Sequence, residues 1–324
     1  MALCGKKGRG ITYLRISLTD RCNLRCFYCH PEGGIELKSH SSILTFEELA
    51  RVVRAARRLG IEKFRLTGGE PLLRKDIVGL LSLLSEAKGG GRLALTSNGV
   101  LLGEMAYGLR SHGLDSVNIS LDTLQRKKFE RITGRDALDS VLTGISQSVR
   151  AGLEVKINVV LLEGLNDSEV LDFVSLAEKF GIEVRFIELM PFGRNGNAMS
   201  TVPVALARRA VEEAHVLFPE EREGSSGPAQ SFRLGNGRGK VGFIAPVTEG
   251  FCDQCNRLRL TCDGRLKPCL ACRTSVDLRS ALRSSTVDDE IERLFISAAD
   301  LKPDGSFLEK AGALLGVEMR ESGG

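Results

Sequence analysis

The sequence of 324 residues lacks an apolar run of about 18 residues or more, so it predicts no membrane-spanning helix. Residues 1–10 are basic and contain glycine, and they lack the apolar stretch of a secretory signal. A strong charge excess is missing too: 45 basic and 41 acidic residues leave a net charge of +4, which favours neither nucleic acid nor a membrane surface as a partner. The remaining composition, 42% hydrophobic, predicts one large globular domain or two unequal ones.

The nine cysteines are the most informative residues because they are unevenly spread. Cys4 stands alone, three lie between residues 22 and 29, and five lie between 252 and 272. An extracellular disulfide framework normally uses an even number of cysteines spread along the chain. The odd count, the clustering and the missing signal therefore predict reduced, metal-binding thiolates in a cytoplasmic protein.

The first group, Cys22, Cys26 and Cys29, has the spacing C-x3-C-x2-C. It supplies three thiolates, whereas iron–sulfur clusters are usually held by four. The spacing therefore indicates a cubane cluster in which one iron stays open for a small molecule. A zinc site is the alternative, with the adjacent His30 as the fourth ligand.

Short apolar strands alternate with amphipathic helices before residue 190. The predicted strands span residues 11–18, 63–66, 93–96, 116–121, 155–161 and 183–189, and the predicted helices span 46–59, 76–87, 104–111, 137–151 and 168–180. Thr45 is the expected N-cap of the first helix, and Gly60 is expected to end it. This alternation predicts the α/β class, with a partial (β/α)6 TIM-like barrel as the closure; an open doubly wound sheet also fits.

The pattern changes after residue 195, which divides the chain into a partial barrel, 1–195, and a C-terminal extension, 196–324. The extension contains a predicted helix near 204–216 and short strands at 231–234, 239–244 and 257–261. We expect it to cap the open side of the barrel. The polar motifs of the barrel each follow a predicted strand, which is where the catalytic face of a βα barrel lies.

The run from Thr67 to Pro71, Thr-Gly-Gly-Glu-Pro, directly follows the second predicted strand. Its glycines allow a ligand to approach the backbone closely, and Glu70 is suited to fixing the loop at the strand end. Alone this is a weak signal, because an ordinary turn has the same residues. Together with the first cysteine group it becomes a strong one.

The second cysteine group admits two interpretations. Cys252, Cys255, Cys269 and Cys272 follow the spacing C-x2-C-x13-C-x2-C, which is typical of a zinc ribbon and by itself favours zinc. The residues between these cysteines, Asn-Arg-Leu-Arg-Leu and Asp-Gly-Arg-Leu, favour an iron–sulfur cluster instead, through the family resemblance given below.

The first cysteine group, with Tyr28 before its last cysteine and the Gly-Gly-Glu-Pro loop after the next strand, resembles the radical S-adenosylmethionine (SAM) superfamily. This resemblance implies that the three cysteines hold a [4Fe–4S] cluster whose open iron is chelated by the amino and carboxylate groups of SAM. It further implies four residues that contact SAM: Tyr28 near the adenine, Gly69 near the amino group, Ser120 and Met190.

Within that superfamily the chain resembles the GTP 3′,8-cyclase family of molybdenum cofactor biosynthesis. The motifs that match include T-D-R-C-N, R-L-T-G-G-E-P-L-L-R, T-S-N-G, K-I-N-V-V, R-F-I-E-L-M and F-C-x-x-C-N-R-L-R-L. The resemblance implies that Cys252, Cys255 and Cys269 hold a second [4Fe–4S] cluster, whose open iron binds the guanine of GTP. Cys262 and Cys272 depart from the family pattern, and Cys272 is a further candidate ligand that would close this cluster.

The same resemblance implies a set of residues that contact GTP: Arg15, Arg65, Thr96, Lys156, Arg257, Leu258 and Arg259. Arg257 and Arg259 join the first three cysteines as expected catalytic residues. GTP carries roughly four negative charges, and the planar guanidinium fork suits phosphate. A cation on a barrel strand must face outward or find a partner inside, and helices cover the outside, so an anionic substrate inside accounts for these strand residues.

The family resemblance also implies the reaction. Electron transfer to SAM would give methionine and a 5′-deoxyadenosyl radical, which takes hydrogen from C3′ of GTP; bonding of C3′ to C8 then gives 3′,8-cyclo-7,8-dihydro-GTP. Expected partners are an external electron donor, a downstream cyclic pyranopterin monophosphate synthase and a second copy of the chain. The Gly323-Gly324 tail is expected to enter the barrel. The rival hypotheses are a peptide-modifying radical SAM enzyme and a non-catalytic, zinc-stapled binding protein.

Overall fold

A computed structural model describes residues 2–6, 8–30, 36–190, 200–221, 227–284 and 288–303. The strands are β1 Tyr13–Ser17, β2 Lys63–Thr67, β3 Arg92–Ser97, β4 Ser116–Ser120, β5 Glu154–Leu161, β6 Glu183–Glu188, β7 Leu217–Pro219, β8 Gln230–Leu234, β9 Lys240–Ile244, β10 Arg257–Leu260, β11 Arg265–Lys267 and β12 Val276–Asp277. The helices are α1 Phe46–Arg58, α2 Ile77–Ala87, α3 Leu102–Ser111, α4 Arg126–Thr133, α5 Leu138–Arg150, α6 Val170–Phe180, α7 Val204–Ala214, α8 Leu278–Arg283 and α9 Asp288–Asp300.

All of these strands belong to one sheet in the order β12-β11-β10-β1-β2-β3-β4-β5-β6-β9-β8-β7. Strands β1 to β6 lie side by side in chain order and are all parallel, as a partial TIM-like barrel requires. A doubly wound sheet reverses its strand order at a switch point, and these six strands do not. The α/β class and the barrel-type sheet predicted from the sequence are confirmed.

The C-terminal part of the chain lengthens this sheet at both edges. Strand β9 pairs with β6 and strand β10 pairs with β1, both in parallel, so the parallel region has eight strands where the sequence predicted six. The antiparallel strands β7 and β8 flank one edge, and β11 and β12 flank the other. As a result, the segment that carries the second cysteine group lies directly beside β1.

The apolar core lies between one face of the sheet and the helices. In β5, for example, Val155, Ile157, Val159 and Leu161 are buried in this core, whereas the alternate residues face the other side. Helix α1 begins as predicted: the Thr45 hydroxyl accepts from the Glu48 N–H, and the Glu48 carboxylate accepts from the Thr45 N–H. No helix among the described residues is long and apolar enough to cross a membrane.

Candidate active site

Arginines from three neighbouring strands meet on the inner face of the sheet, which is the face opposite the apolar core. The register pairs Arg15 of β1 with Arg65 of β2 on one side and with Arg259 of β10 on the other. Tyr13 is paired with Arg257 in the same way, two residues earlier. Because side chains alternate along a strand, these five residues project to the same face, and four of them are cations.

Crowding of like charges is visible in the pKa values of this cluster. Burial and the neighbouring Arg259 lower the pKa of Arg15 well below its usual range. Burial and Arg257 lower the pKa of Arg259 to about 10. Leu258, between the two C-terminal arginines, is fully buried in the apolar core, so its side chain points away from this face and only its backbone can meet a ligand there.

Arg65 is held in place by hydrogen bonds to three residues. Its Nε donates to the Tyr13 hydroxyl at 2.5 Å, and its Nη1 donates to the Leu95 carbonyl at 2.7 Å and to Thr96 Oγ1 at 3.5 Å. Burial would raise the pKa of Tyr13, but Arg65, Arg15 and Lys63 lower it to about 7. The inner face therefore has a positive potential that favours an anion.

Lys156, the other predicted cation, has different surroundings. Its Nζ lies 2.8 Å from both Glu183 and Glu154. Glu183 also accepts from Arg185 at 2.7 Å, and although burial opposes it, Arg185 and Lys156 lower the pKa of Glu183 to about 2. The β5–β6 side of the inner face is therefore close to charge balance.

Two amide oxygens on the inner face point to a ligand. The Oδ1 atoms of Asn118 and Asn158 are buried and have no hydrogen-bond partner among the residues that the structure describes. Asn118 is paired in register with Lys156 and with Thr96, and Asn158 with Ser120, so both amides lie next to predicted ligand contacts. Buried polar atoms are normally satisfied, and hydroxyl or amino groups of a ligand would satisfy these two.

The first cysteine loop follows β1 and is held by hydrogen bonds to the end of β3. Asn98 Nδ2 donates to Asn23 Oδ1 at 2.7 Å and lies 3.8 Å from Cys22 Sγ. Burial, reinforced by Asp122, Cys29 and Cys22, raises the pKa of the Cys26 thiol well above its usual range. Three half-buried thiols in one loop fit a cluster, since bound iron supplies the positive charge that their thiolates need.

Tyr28, the aromatic residue directly before Cys29, is fixed through its hydroxyl. It donates to Asp122 Oδ2 at 2.6 Å, and the other oxygen of Asp122 accepts from the Val160 N–H at 2.9 Å. Burial raises the pKa of Asp122 to about 6. The exposed Ser120 lies two residues before Asp122, so Tyr28 and Ser120 lie at the same strand end.

The Gly-Gly-Glu-Pro loop packs directly against the residues that precede the first cysteine. The Gly69 N–H donates to the Thr19 carbonyl at 2.8 Å, and a Cβ on Gly69 would lie 2.1 Å from the Arg21 carbonyl oxygen, so only glycine fits. Glu70 accepts from Ser97 Oγ at 2.9 Å and from the Asn98 N–H at 2.7 Å. The prediction that Glu70 fixes the strand-end loop is confirmed.

The second cysteine group opens onto the arginines. Cys252, Cys255 and Cys269 line one cavity, and the other residues that line it include Met190, Arg257, Arg259, Lys302 and Arg9. Met190, a predicted SAM contact, thus lies beside the second group. The cavity joins cysteine sulfurs to guanidinium groups, a combination that suits an anionic ligand at a metal centre.

The electrostatics of this second group differ from those of the first. Burial would raise the pKa of Cys255, but Arg257 and Lys302 lower it to about 6. A hydrogen bond from the Cys272 thiol lowers the pKa of Cys269 to about 5, even though burial opposes it. Cys272 therefore lies beside Cys269, whereas Cys262 is buried and its pKa is raised to about 12, mainly by burial.

The sequence analysis missed several side chains of this site. Tyr13 precedes Arg15 by two residues, so strand alternation was a signal that it shares the inner face. Lys302, Arg9 and Asp122 gave no comparable signal, because each reaches its site from a distant part of the chain. The Gly323-Gly324 tail lies outside the described residues. None of the nine cysteines, all of which the structure describes, forms a disulfide.

Over the residues that the structure describes, no three His, Cys, Asp or Glu side chains meet as ligands of a single metal ion. A cubane cluster differs from a single ion because it takes each thiolate on a separate iron. The donor sets of both cysteine groups, three half-buried thiols each, are of the kind that such a cluster uses.

Two family models match the chain. The model of the radical SAM superfamily covers residues 16–177, and that of the C-terminal domain of molybdenum cofactor synthesis covers residues 182–308. Among curated proteins, the GTP 3′,8-cyclase of Moorella thermoacetica is 45% identical over 303 residues, 93% of this chain and 94% of that protein. The GTP 3′,8-cyclase of Peptoclostridium acidaminophilum is also 45% identical, over 94% of each chain.

A solved structure supports the fold. The crystal structure of Streptococcus suis SuiB bound to S-adenosylmethionine matches with a TM-score of 0.64 and 16% identity. The match covers 90% of this chain and 68% of SuiB. At that identity the likeness establishes the shared architecture and nothing about the substrate.

Proposed function

Because this chain belongs to the radical SAM superfamily and to the GTP 3′,8-cyclase family within it, we propose that it converts GTP to 3′,8-cyclo-7,8-dihydro-GTP between two iron–sulfur sites. This is the first step of molybdenum cofactor biosynthesis. The observation that carries the proposal is the cluster of Arg15, Arg65, Arg257 and Arg259 on one face of the sheet, on neighbouring strands that pair in register.

The arginine cluster is the proposed triphosphate site. Four guanidinium groups on adjacent strands match the roughly four negative charges of GTP, and each offers a planar fork of donors to phosphate oxygens. Arg65 is already oriented by Tyr13 and the Leu95 carbonyl, so it is held in place before the ligand binds. Thr96, Lys156 and the backbone of Leu258 complete the proposed GTP contacts.

The first cysteine group is the proposed SAM site. Cys22, Cys26 and Cys29 would hold a [4Fe–4S] cluster, and SAM would contact Tyr28, Gly69, Ser120 and Met190. When bound, this cluster and SAM would supply the 5′-deoxyadenosyl radical that removes hydrogen from C3′ of GTP, and one further electron and one proton would be needed to complete the C3′–C8 bond.

The second cysteine group is the proposed guanine site. Cys252, Cys255 and Cys269 would hold a second [4Fe–4S] cluster, with Cys272 beside Cys269 as a neighbouring thiol. The unsatisfied oxygens of Asn118 and Asn158 would accept hydrogen bonds from the hydroxyl or amino groups of the two ligands. Burial of the inner face would keep water and other C–H bonds away from the radical.

Consumption of SAM in the presence and absence of GTP, under anaerobic conditions with an artificial reductant, tests this function. We expect GTP to accelerate the cleavage of SAM above the slow rate seen without GTP, together with a product of the same mass as GTP. Cleavage that GTP does not stimulate, or that a peptide stimulates instead, would contradict the proposal and favour the peptide-modifying alternative.

The remaining expectations are part of the same proposal. We expect a cytoplasmic homodimer that receives electrons from an external donor and passes its product to a cyclic pyranopterin monophosphate synthase. The oxygen sensitivity of open-iron clusters and the reduced state of the nine cysteines favour a reducing compartment.

A further inference from the structure

Lys302 joins the two segments that carry the second cysteine group. It lies just after α9, and its Nζ donates to the Arg257 carbonyl at 2.7 Å and to the Pro268 carbonyl at 3.0 Å. The same Nζ lies 3.6 Å from Cys255 Sγ. An ammonium has three donors and no acceptor, so these three contacts use its full capacity.

The two carbonyls lie where the sheet stops holding these segments together. Strands β10 and β11 pair at Arg259 with Lys267 and at Leu260 with Leu266. Arg257 and Pro268 lie beyond the last of these pairs, next to Cys255 and Cys269 in the chain. Lys302 therefore links the two segments where interstrand hydrogen bonds no longer do, next to Cys255 and Cys269.

The position of Lys302 is itself well determined. Helix α9 buries Ile291 and Phe295 and is attached to α1 by ion pairs between Arg51 and Asp288 and between Arg58 and Glu292. Lys302 follows this anchored helix by two residues, and its backbone N–H donates to the Ala299 carbonyl at 3.1 Å, which ties it to the helix end.

A second cation supports the same corner from the N-terminal segment. Arg9 donates to the Cys252 carbonyl at 3.0 Å and to the Pro303 carbonyl at 3.2 Å. Pro303, the residue after Lys302, is thus tied through Arg9 to Cys252, the first cysteine of the group. Together, Lys302 and Arg9 contact the chain beside each of the three proposed ligands.

The positive charge of Lys302 would affect the reduction potential of the proposed second cluster. It lies beside Arg257, and a further cation there is favourable only if the site also holds negative charge, as a cluster with three thiolates does. A nearby positive charge stabilises the more negative, reduced state of such a cluster and so raises its reduction potential.

We propose that Lys302 is a positioning residue for the second cluster: it fixes the separation of the Cys255 and Cys269 segments, and its charge favours the reduced cluster. This inference rests on the proposed function, in which Cys252, Cys255 and Cys269 hold that cluster.

The test uses the full-length chain with Cys22, Cys26 and Cys29 replaced by alanine, so that all measured iron and the measured reduction potential belong to the second cluster. In this background, Lys302→Met removes the ammonium at nearly constant length, Lys302→Arg keeps the charge, and Lys127→Met removes a charge from the exposed surface of α4 as the matched control. The readouts are iron per chain, the rate of iron loss to a chelator, and the reduction potential from an EPR-monitored titration. Far-UV circular dichroism checks that each variant is folded.

We expect about four iron per chain in the background and in the Lys127→Met control. Lys302→Met should lose iron to the chelator several-fold faster and have a more negative potential, and Lys302→Arg should restore the potential toward the control value. Lys302→Met that matches Lys127→Met in both readouts would overturn the inference. A background that binds no iron would instead overturn the second cluster itself, so the two failures are distinguishable.

Discussion

The two cysteine groups have the same three-thiol composition but opposite electrostatic surroundings. In the first group, burial and Asp122 raise the pKa of Cys26, and the loop is held by the neutral amide of Asn98. In the second group, Arg257 and Lys302 lower the pKa of Cys255 to about 6, against the effect of burial. The charge nearest the Cys26 thiol is thus negative, whereas the charges nearest the Cys255 thiol are positive.

This difference matches the charges of the two proposed ligands. The sulfonium of SAM is a cation, which a carboxylate such as Asp122 favours, whereas the triphosphate of GTP is an anion, which the arginines favour. Each site would therefore repel the other's ligand. The asymmetry teaches that surrounding charge, more than cysteine spacing, assigns a ligand to each site.

The largest expected effect is that substitutions in the two cysteine groups abolish different activities. Cys26→Ala should abolish SAM cleavage, whereas Cys255→Ala should leave SAM cleavage but abolish cyclisation of GTP. The measurement is 5′-deoxyadenosine and cyclised nucleotide from the same anaerobic reaction. Cys4→Ala, an exposed cysteine outside both groups, is the control. Robust cyclisation by the Cys255→Ala protein would remove the second cluster from the mechanism.

Arg257→Ala tests the cationic side of the comparison. Hydrogen bonds to charged groups contribute about 1.5–3 kcal/mol, so GTP affinity should fall by roughly 10- to 100-fold while SAM cleavage with a strong reductant persists. Equilibrium dialysis of GTP measures the change, and Arg54→Ala on the exposed face of α1 is the control. Unchanged GTP affinity would show that Arg257 does not bind the substrate.

Asp122→Asn tests the role of the negative charge beside the first cysteine group. The amide keeps the shape of the carboxylate and can still bond to Tyr28 or Val160, but it lacks the negative charge. We expect SAM affinity to fall several-fold, about 1 kcal/mol, with GTP affinity unchanged. An equal loss of both affinities would indicate a general structural defect and contradict the charge argument.

The smallest expected effect is a pH dependence that comes from Tyr13. Its pKa of about 7 lies below the usual value near 10, because Arg65, Arg15 and Lys63 outweigh burial. As pH rises through about 7, a phenolate forms among the arginines; this adds stability to the free protein and opposes a phosphate ligand. GTP affinity should therefore fall a few-fold between about pH 6.5 and about pH 8.5, and Tyr13→Phe should flatten that dependence. An identical profile for Tyr13→Phe would assign the titration to another group.

Local signals in the sequence were sufficient for β1 to β6 and for most of the helices between them. For α1, the predicted ends agree with the structure to within one residue, because Thr45 marks the start of the helix and Gly60 marks its end. Helix α4 was missed because it starts on Arg126, Lys127 and Lys128 without a side-chain cap, and its eight residues are too few to show a repeated apolar pattern.

The pairing of strands that are distant in the chain could not be predicted from the sequence. Strand β10 lies beside β1 although Tyr13 and Arg257 are far apart in the chain, and no local pattern encodes that partner. The same holds for Lys302, whose importance depends on two carbonyls that only the folded chain brings together. Residue types predicted the chemistry of the site, and tertiary packing determined which side chains share it.

Metal and sulfide analysis of the anaerobically purified protein tests most directly whether the molecule holds two clusters with different surroundings. The account predicts about eight iron and eight sulfide per chain, falling to about four of each in Cys255→Ala and in Cys26→Ala alike. A chain that holds zinc at the second group, or one in which Cys255→Ala keeps its full iron and sulfide content, would contradict it.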